Sequence, residues 1–174
     1  MPGKLVSTAA CKCESSKLMP QLALYQPDIP QNTGTILRLA ACMSVTVHLI
    51  EPAGFPISDS ALKRAGMDYL ERATMRRHRS FADFELFRLT QNRRLILLTT
   101  KSETFYTDFQ YRSEDILLMG RESTGVPESV HELVDARLTI PMAEGMRSIN
   151  VAVSAGMALG EALRQTGTFP KSAF

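Results

Sequence analysis

Two loops of this chain gather the side chains best suited to chemistry. The first, Gly120-Arg121-Glu122-Ser123-Thr124-Gly125-Val126-Pro127, directly follows an apolar run. Its two glycines let the backbone approach a ligand closely, and Glu122 can accept hydrogen bonds from hydroxyl or amino donors. A tight turn with a charged helix start would look the same. A GxxxxGK phosphate loop needs lysine after its second glycine, where this chain has Val126, and GxGxxG is not matched either. The second loop, Pro141-Met142-Ala143-Glu144-Gly145-Met146-Arg147-Ser148-Ile149-Asn150, leads into the last helix-length segment. Ser148 and Asn150 suit an N-cap, and a helix N-terminus also offers free N–H groups to an anion.

Arg38 stands among apolar neighbours in a helix-like stretch. There it can snorkel, pair with an acid, or point toward phosphate or ribose. His48, His78 and His131 show no spacing to a carboxylate or serine that suits catalysis, and His48, inside an apolar run, reads as a structural histidine. GxSxG is absent, so serine-hydrolase chemistry has no elbow. Cys11-Lys12-Cys13 lacks the further ligands of a metal site, and Cys42 reads as a small core residue. No metal site is expected.

These residues need a scaffold, and the hydrophobic pattern supplies one. Strands are expected at Gln21–Tyr25, Val45–Ile50, Leu70–Met75, Arg94–Thr99, Ile116–Met119 and Arg137–Ile140. Helices are expected from Thr33 to Cys42 with Asn32 as cap, from Ser58 or Asp59 to Ala65, and after Ser80 to Leu89. Two more are expected over Glu128–Leu133 and Asn150–Gln165, the latter ended by Gly167 and Pro170. Alternating short apolar strands and helices imply an α/β fold, a parallel sheet flanked by helices in a single domain. Ligands of such a sheet bind beyond the carboxyl ends of the strands. Four loops leave strands there: Gln26–Gly34, Thr99–Lys101, Gly120–Pro127 and Pro141–Asn150.

The 174 residues suit one domain, and a hydrophobic fraction of 44% with 22% charged residues excludes a disordered, collagenous or coiled-coil chain. No apolar run approaches the roughly 20 residues of a membrane span. Three cysteines, two of them a residue apart, fit a reducing compartment, and the chain is expected to be cytoplasmic. Residues 1–19 read as a disordered tail before a domain over 20–170, with Met19 a candidate second start. The net charge of +2 conceals an asymmetry. From Lys63 to Arg94, nine basic against four acidic side chains leave +5, while 11 against 14 leave −3 elsewhere. Such a basic third can face a polyanion, or it can be solvated helix surface.

Taken in order, three motifs resemble those of the SPOUT superfamily of RNA methyltransferases. They are Leu24-Tyr25-Gln26-Pro27-Asp28-Ile29-Pro30-Gln31-Asn32-Thr33-Gly34 with Arg38, then Gly120–Pro127, then Ile140-Pro141-Met142 with Arg147-Ser148-Ile149-Asn150. Ile50-Glu51-Pro52-Ala53-Gly54-Phe55, Arg64-Ala65-Gly66-Met67-Asp68-Tyr69 and Leu98-Thr99-Thr100-Lys101 are similar to its TrmL- or YibK-like subfamily of tRNA wobble-position 2′-O-methyltransferases. The resemblance implies a trefoil-knotted fold, a homodimer through the terminal helices, and S-adenosylmethionine held at Leu98, Gly120, Ile140 and Ser148. It implies methyl transfer to a ribose 2′-OH at position 34, a cytidine or modified uridine of leucine tRNAs. Arg38, Glu122, Ser148 and Asn150 would be the catalytic set. A guanidinium stays protonated at neutral pH, so Arg38 is expected to orient and polarise the hydroxyl rather than to deprotonate it. Asn32, Arg76, Arg77 and Arg79 would meet the RNA, with His78, Arg93 and Arg94 following the phosphates of an anticodon stem-loop. Gln26, Gln31 and Arg121 depart from many family sequences. A sibling enzyme for another RNA position, or a non-catalytic cofactor- or RNA-binding module, would carry the same fold.

Overall fold

The computed structural model describes residues 18–57 and 74–171. The expected tail, the helix after Ser58, the start of the Leu70–Met75 strand, and the phrase Arg64–Tyr69 lie outside the described residues, as do Lys63, Arg64 and Arg72.

In chain order the elements are β1 (Gln21–Tyr25), α1 (Pro30–Met43), β2 (Thr46–Ile50), β3 (Thr74–His78), α2 (Phe81–Thr90), β4 (Arg94–Leu98), β5 (Asp115–Met119), α3 (Glu128–Leu133), β6 (Ala136–Leu138) and α4 (Val151–Thr166). The six strands form one sheet in the order β3-β2-β1-β5-β4-β6, and every pairing is parallel. Alternation along each strand feeds two cores. Leu22, Leu24, Ile96, Leu117 and Met119 face α1 and α4, where Ile36, Leu37, Ala155, Ala158 and Leu159 meet them. Ala23, Tyr25, Leu95, Leu97, Ile116 and Leu118 turn the other way, toward Phe84 of α2 and Val130 of α3. Burying each large aliphatic side chain contributes about 1.5–3 kcal/mol, so the sheet register is fixed by both faces at once.

Four expectations need correction. Helix α1 begins at Pro30 with Ile29 as its N-cap, so Asn32 lies inside the first turn and does not cap it. Proline at the first helical position needs no N–H partner, which moves the start forward. Ser148 caps nothing: Asn150 is the N-cap of α4, accepting from the Ala152 and Val153 amides. The strand expected to end at Met75 continues to His78, held by its parallel register with β2. Cys42 is exposed, because α1 buries Thr33, Gly34, Ile36, Leu37 and Ala40 and turns position 42 outward.

Candidate functional site

All six strands run the same way, so their carboxyl ends open at one end of the sheet. A cavity of about 440 Å³ lies there, within the range of cofactor sites. Leu97, Leu98 and Thr99 line it from the end of β4, Met119, Gly120 and Glu122 from β5, and Ile140 and Met142 from beyond β6. Ile29 and Asn32 close it from α1, and Ser148, Ile149 and Asn150 from the approach to α4. Three of the four strand-end loops thus supply polar groups to one place. The fourth, Thr99–Lys101, forms its lip.

A side chain at Gly120 fits only if the turn backbone opposite it gives way by a few tenths of an ångström. A Cβ there would stand 3.0 Å from Gly125 Cα, because the Arg121 and Gly125 backbones bridge each other at 3.0 and 2.7 Å. The loop thereby exposes strand-end backbone next to apolar walls, which suits a flat heterocycle.

Along the rim runs one hydrogen-bonded chain. Asn150 Oδ1 accepts the first amides of α4, so its Nδ2 must face outward, and it donates to Asn32 Oδ1 at 3.0 Å. Asn32 Nδ2 then donates to Glu122 Oε1 at 3.1 Å, and a carboxylate can only accept. Both ends of the chain dictate the same amide orientations. Glu122 Oε2 accepts the Asp28 amide at 2.7 Å. Asp28 in turn accepts from Arg121 Nε at 2.6 Å and from the Ser123 hydroxyl and amide. The Ser123 hydroxyl, then Arg121, hold the Asp28 carboxyl below its ordinary value.

The site residues expected from sequence fall into two groups. Glu122, Ser148, Asn150, Leu98, Gly120, Ile140 and Asn32 all line the cavity. Arg38 does not: it is exposed on α1, six residues or about 9 Å of helix rise beyond Asn32, on the stripe of Gln31 and Thr35. Among the described residues no group of His, Cys, Asp or Glu could hold a metal ion. Sequence reasoning misses Asp28 as a functional side chain, because its partners are 93 and 95 positions away. His131, which has no role on spacing alone, lines the cavity wall.

The basic flank is smaller than its charge count. Arg94 is taken up by both oxygens of Asp115, at 2.7 and 2.9 Å, and Arg88 by Glu85 and Asp135. Arg93 donates to the Met19 carbonyl. The expectation that Arg93 and Arg94 follow phosphates is therefore replaced by internal roles. Arg76, over the Phe87 ring, Arg77, paired with Glu51, and Arg79 remain exposed on or just past β3. Because β3 is parallel to β1, Arg79 emerges at the same end of the sheet as the cavity.

The chain is similar to known proteins in sequence and fold. The SpoU rRNA Methylase family model matches residues 19–160. A protein of Beijerinckia indica subsp. indica, named tRNA (cytidine(34)-2'-O)-methyltransferase, is 60% identical over 150 residues, which is 86% of this chain and 94% of that one. A solved structure described by the 2-OH methylation of C/U34 on tRNA is 44% identical with a TM-score of 0.79, over 84% of this chain and 95% of its own. An AdoMet-bound rRNA methyltransferase from Sinorhizobium meliloti is 27% identical with a TM-score of 0.76, over 84% of this chain and 56% of its own.

Proposed function

The chain belongs to the SpoU rRNA methylase family, and from that premise we propose that it methylates the ribose 2′-hydroxyl of nucleotide 34 in tRNA, with S-adenosylmethionine as donor. The observation that carries the reading is the Glu122–Asn32–Asn150 chain, which joins three distant loops beside a cofactor-sized cavity. The 60% identity to a position-34 enzyme favours tRNA over ribosomal RNA. Leucine tRNAs, and a modified uridine as second target, rest on the resemblance of the motifs alone. The family also implies the knotted threading of the chain and a homodimer. With tRNA as substrate we place the protein in the cytoplasm. No described helix is long and apolar enough to cross a membrane.

The donor, when bound, supplies a methyl group on a positively charged sulfur. Leu98, Ile140 and Val126 offer it apolar walls, Gly120 a close backbone approach, and Ser148 a hydroxyl. Asn32 and Asn150 each keep one amide proton beyond the rim chain, available to ribose or phosphate oxygens. The positive guanidinium of Arg38 would polarise the hydroxyl, whose proton would pass to water as the methyl group is transferred, and hold the adjacent phosphate. Its exposed position outside this copy's cavity suits action across a dimer interface, where α4 also leaves Val153 and Met157 uncovered. Arg76, Arg77 and Arg79 would meet the phosphates of the stem.

The test is incubation with methyl-labelled S-adenosylmethionine and, in parallel, total tRNA and ribosomal RNA, followed by mapping of the label. A 2′-O-methyl group at position 34 is expected. Label on a base nitrogen or in ribosomal RNA would refute the reading, and cofactor binding without transfer would favour a non-catalytic module.

A further inference from the structure

Glu122 is gripped from both sides. The two residues flanking it, Arg121 and Ser123, both bind the side chain of Asp28, while Glu122 itself takes the backbone amide of Asp28. Three consecutive residues therefore close on a single residue 93 to 95 positions earlier in the chain. Arg121 Nε and the Ser123 hydroxyl and amide divide the two carboxylate oxygens of Asp28 between them, and the Asp28 amide meets Glu122 Oε2 at 2.7 Å. Asp28 is also backed from behind. A Cβ at Gly54 would stand 3.1 Å from Asp28 Cα, and the Gly54 amide donates to the Pro27 carbonyl at 2.9 Å.

We propose that Arg121, Asp28 and Ser123 form a positioning latch that presets the Glu122 carboxylate, and through it the amides of Asn32 and Asn150. Asp28 and Ser123 lie outside the cavity lining, and Arg121, which does line it, acts in the latch through its Nε contact with Asp28. Their effect passes through Glu122: an immobile Asp28 amide fixes Oε2, which leaves Oε1 facing Asn32 Nδ2 and hence fixes the outward donors of the rim. A half-buried carboxylate without this clamp would sample more than one rotamer, and each hydrogen bond onto it would cost ordering entropy. Arg121 has a second effect. It places a positive charge beside the Asp28 carboxylate, so that two acidic groups can share the rim without mutual repulsion. Lysine in its place would keep the charge but lose the fixed planar fork that gives Nε its direction.

The expected rate effect rests on the methyltransferase reading; the expected structural effect does not. In single-turnover assays, Arg121→Gln and Asp28→Asn should each slow methyl transfer about tenfold or more, as expected for a hydrogen bond to a charged group, with the Kd for S-adenosylmethionine unchanged in Asp28→Asn, whose side chain lies outside the cavity lining. Arg121→Lys should recover part of the loss. In a Glu122→Gln background, Arg121→Gln should cost almost nothing further, because its effect has already been removed. Independently of activity, hydrogen exchange in Arg121→Gln should rise in residues 26–34 and 120–126 and stay as in the wild type in β3 and α2. Unchanged exchange in those two loops would overturn the latch, as would a full tenfold further loss in the Glu122→Gln background. If the wild-type protein transfers no methyl group, the function proposed above fails, and the exchange measurement alone decides the latch.

Discussion

Gly120 shows how one residue type can be dictated by geometry. The backbone of Gly125 stands where a side chain at 120 would go, so Gly120→Ala must push apart the two sides of a tight turn. We expect this variant to fold with nearly wild-type stability but to weaken S-adenosylmethionine binding at least about tenfold in calorimetric titration, since backbone displacement at a cofactor wall costs about 1 kcal/mol or more. Residues of this kind are legible in the amino-acid sequence: two glycines and an acid after an apolar run mark the loop. Glu122, Ser148 and Asn150 are likewise visible as polar side chains at strand ends. Their mutual orientation is not. The direction of the Asn32 amide follows from Asn150 capping α4 and from Glu122 accepting, 118 and 90 positions away. At Asn32 the local preference for a cap yields to a neighbouring proline and a distant carboxylate. Arg94 shows the converse: its charge is legible, but not that Asp115 consumes it.

At the scale of elements, the β2–β3–α2 corner is held by a buried histidine pair. His48 Nε2 donates to Gln21 Oε1 at 2.9 Å, so its Nδ1 accepts from His78 Nε2, also at 2.9 Å, with Phe84 and Phe87 packed around the rings. Burial, with the nearby charges of His78, Arg76 and Arg93 added, holds the His48 imidazole down at about 3, and burial lowers His78 as well. The unfolded chain takes up a proton at His48 below its ordinary 6.5, and the folded chain only near 3. Stability is therefore complete above pH 6.5 and falls as the pH drops from there toward 3, by roughly 1.4 kcal/mol per unit for His48 alone. Thermal unfolding followed from about pH 7.5 to about 4.5 should show that decline, and His48→Gln should flatten it. On the other side of the sheet Asp115 is fully buried against Arg94. Asp115→Asn should cost about 3 kcal/mol in denaturant unfolding, because Arg94 is left without its carboxylate partner. The elements themselves are mostly legible, since period-2 and helical apolar patterns are local. The exception is β3: TMRRH has no apolar alternation, and only its pairing with β2 makes it a strand.

The whole molecule presents one working end, with the cavity at the strand termini, while Arg76, Arg77 and Arg79 lie exposed on or just past β3 at the sheet edge, Arg79 at the cavity's end of the sheet. Replacing the three arginines by glutamine should weaken tRNA binding and lower the slope of log affinity against log salt by about two to three, which filter binding at several salt concentrations can measure. If Arg38 serves the cavity of the partner copy, mixing Arg38→Ala with Glu122→Gln, each strongly slowed but still measurable, and allowing exchange should restore about a quarter of wild-type activity, since half the dimers then hold one intact site. No restoration would place both groups in one protomer's site. Strand order arises from pairings distant in sequence, so periodicity is silent on it, and the proposed dimer and knot rest on the family resemblance of the three motifs. The proposed reaction turns on one hydroxyl. A leucine tRNA carrying cytidine at position 34 should accept a methyl group from labelled S-adenosylmethionine, and the same tRNA with 2′-deoxycytidine at that position should accept none. Equal methylation of both would contradict transfer to the ribose oxygen.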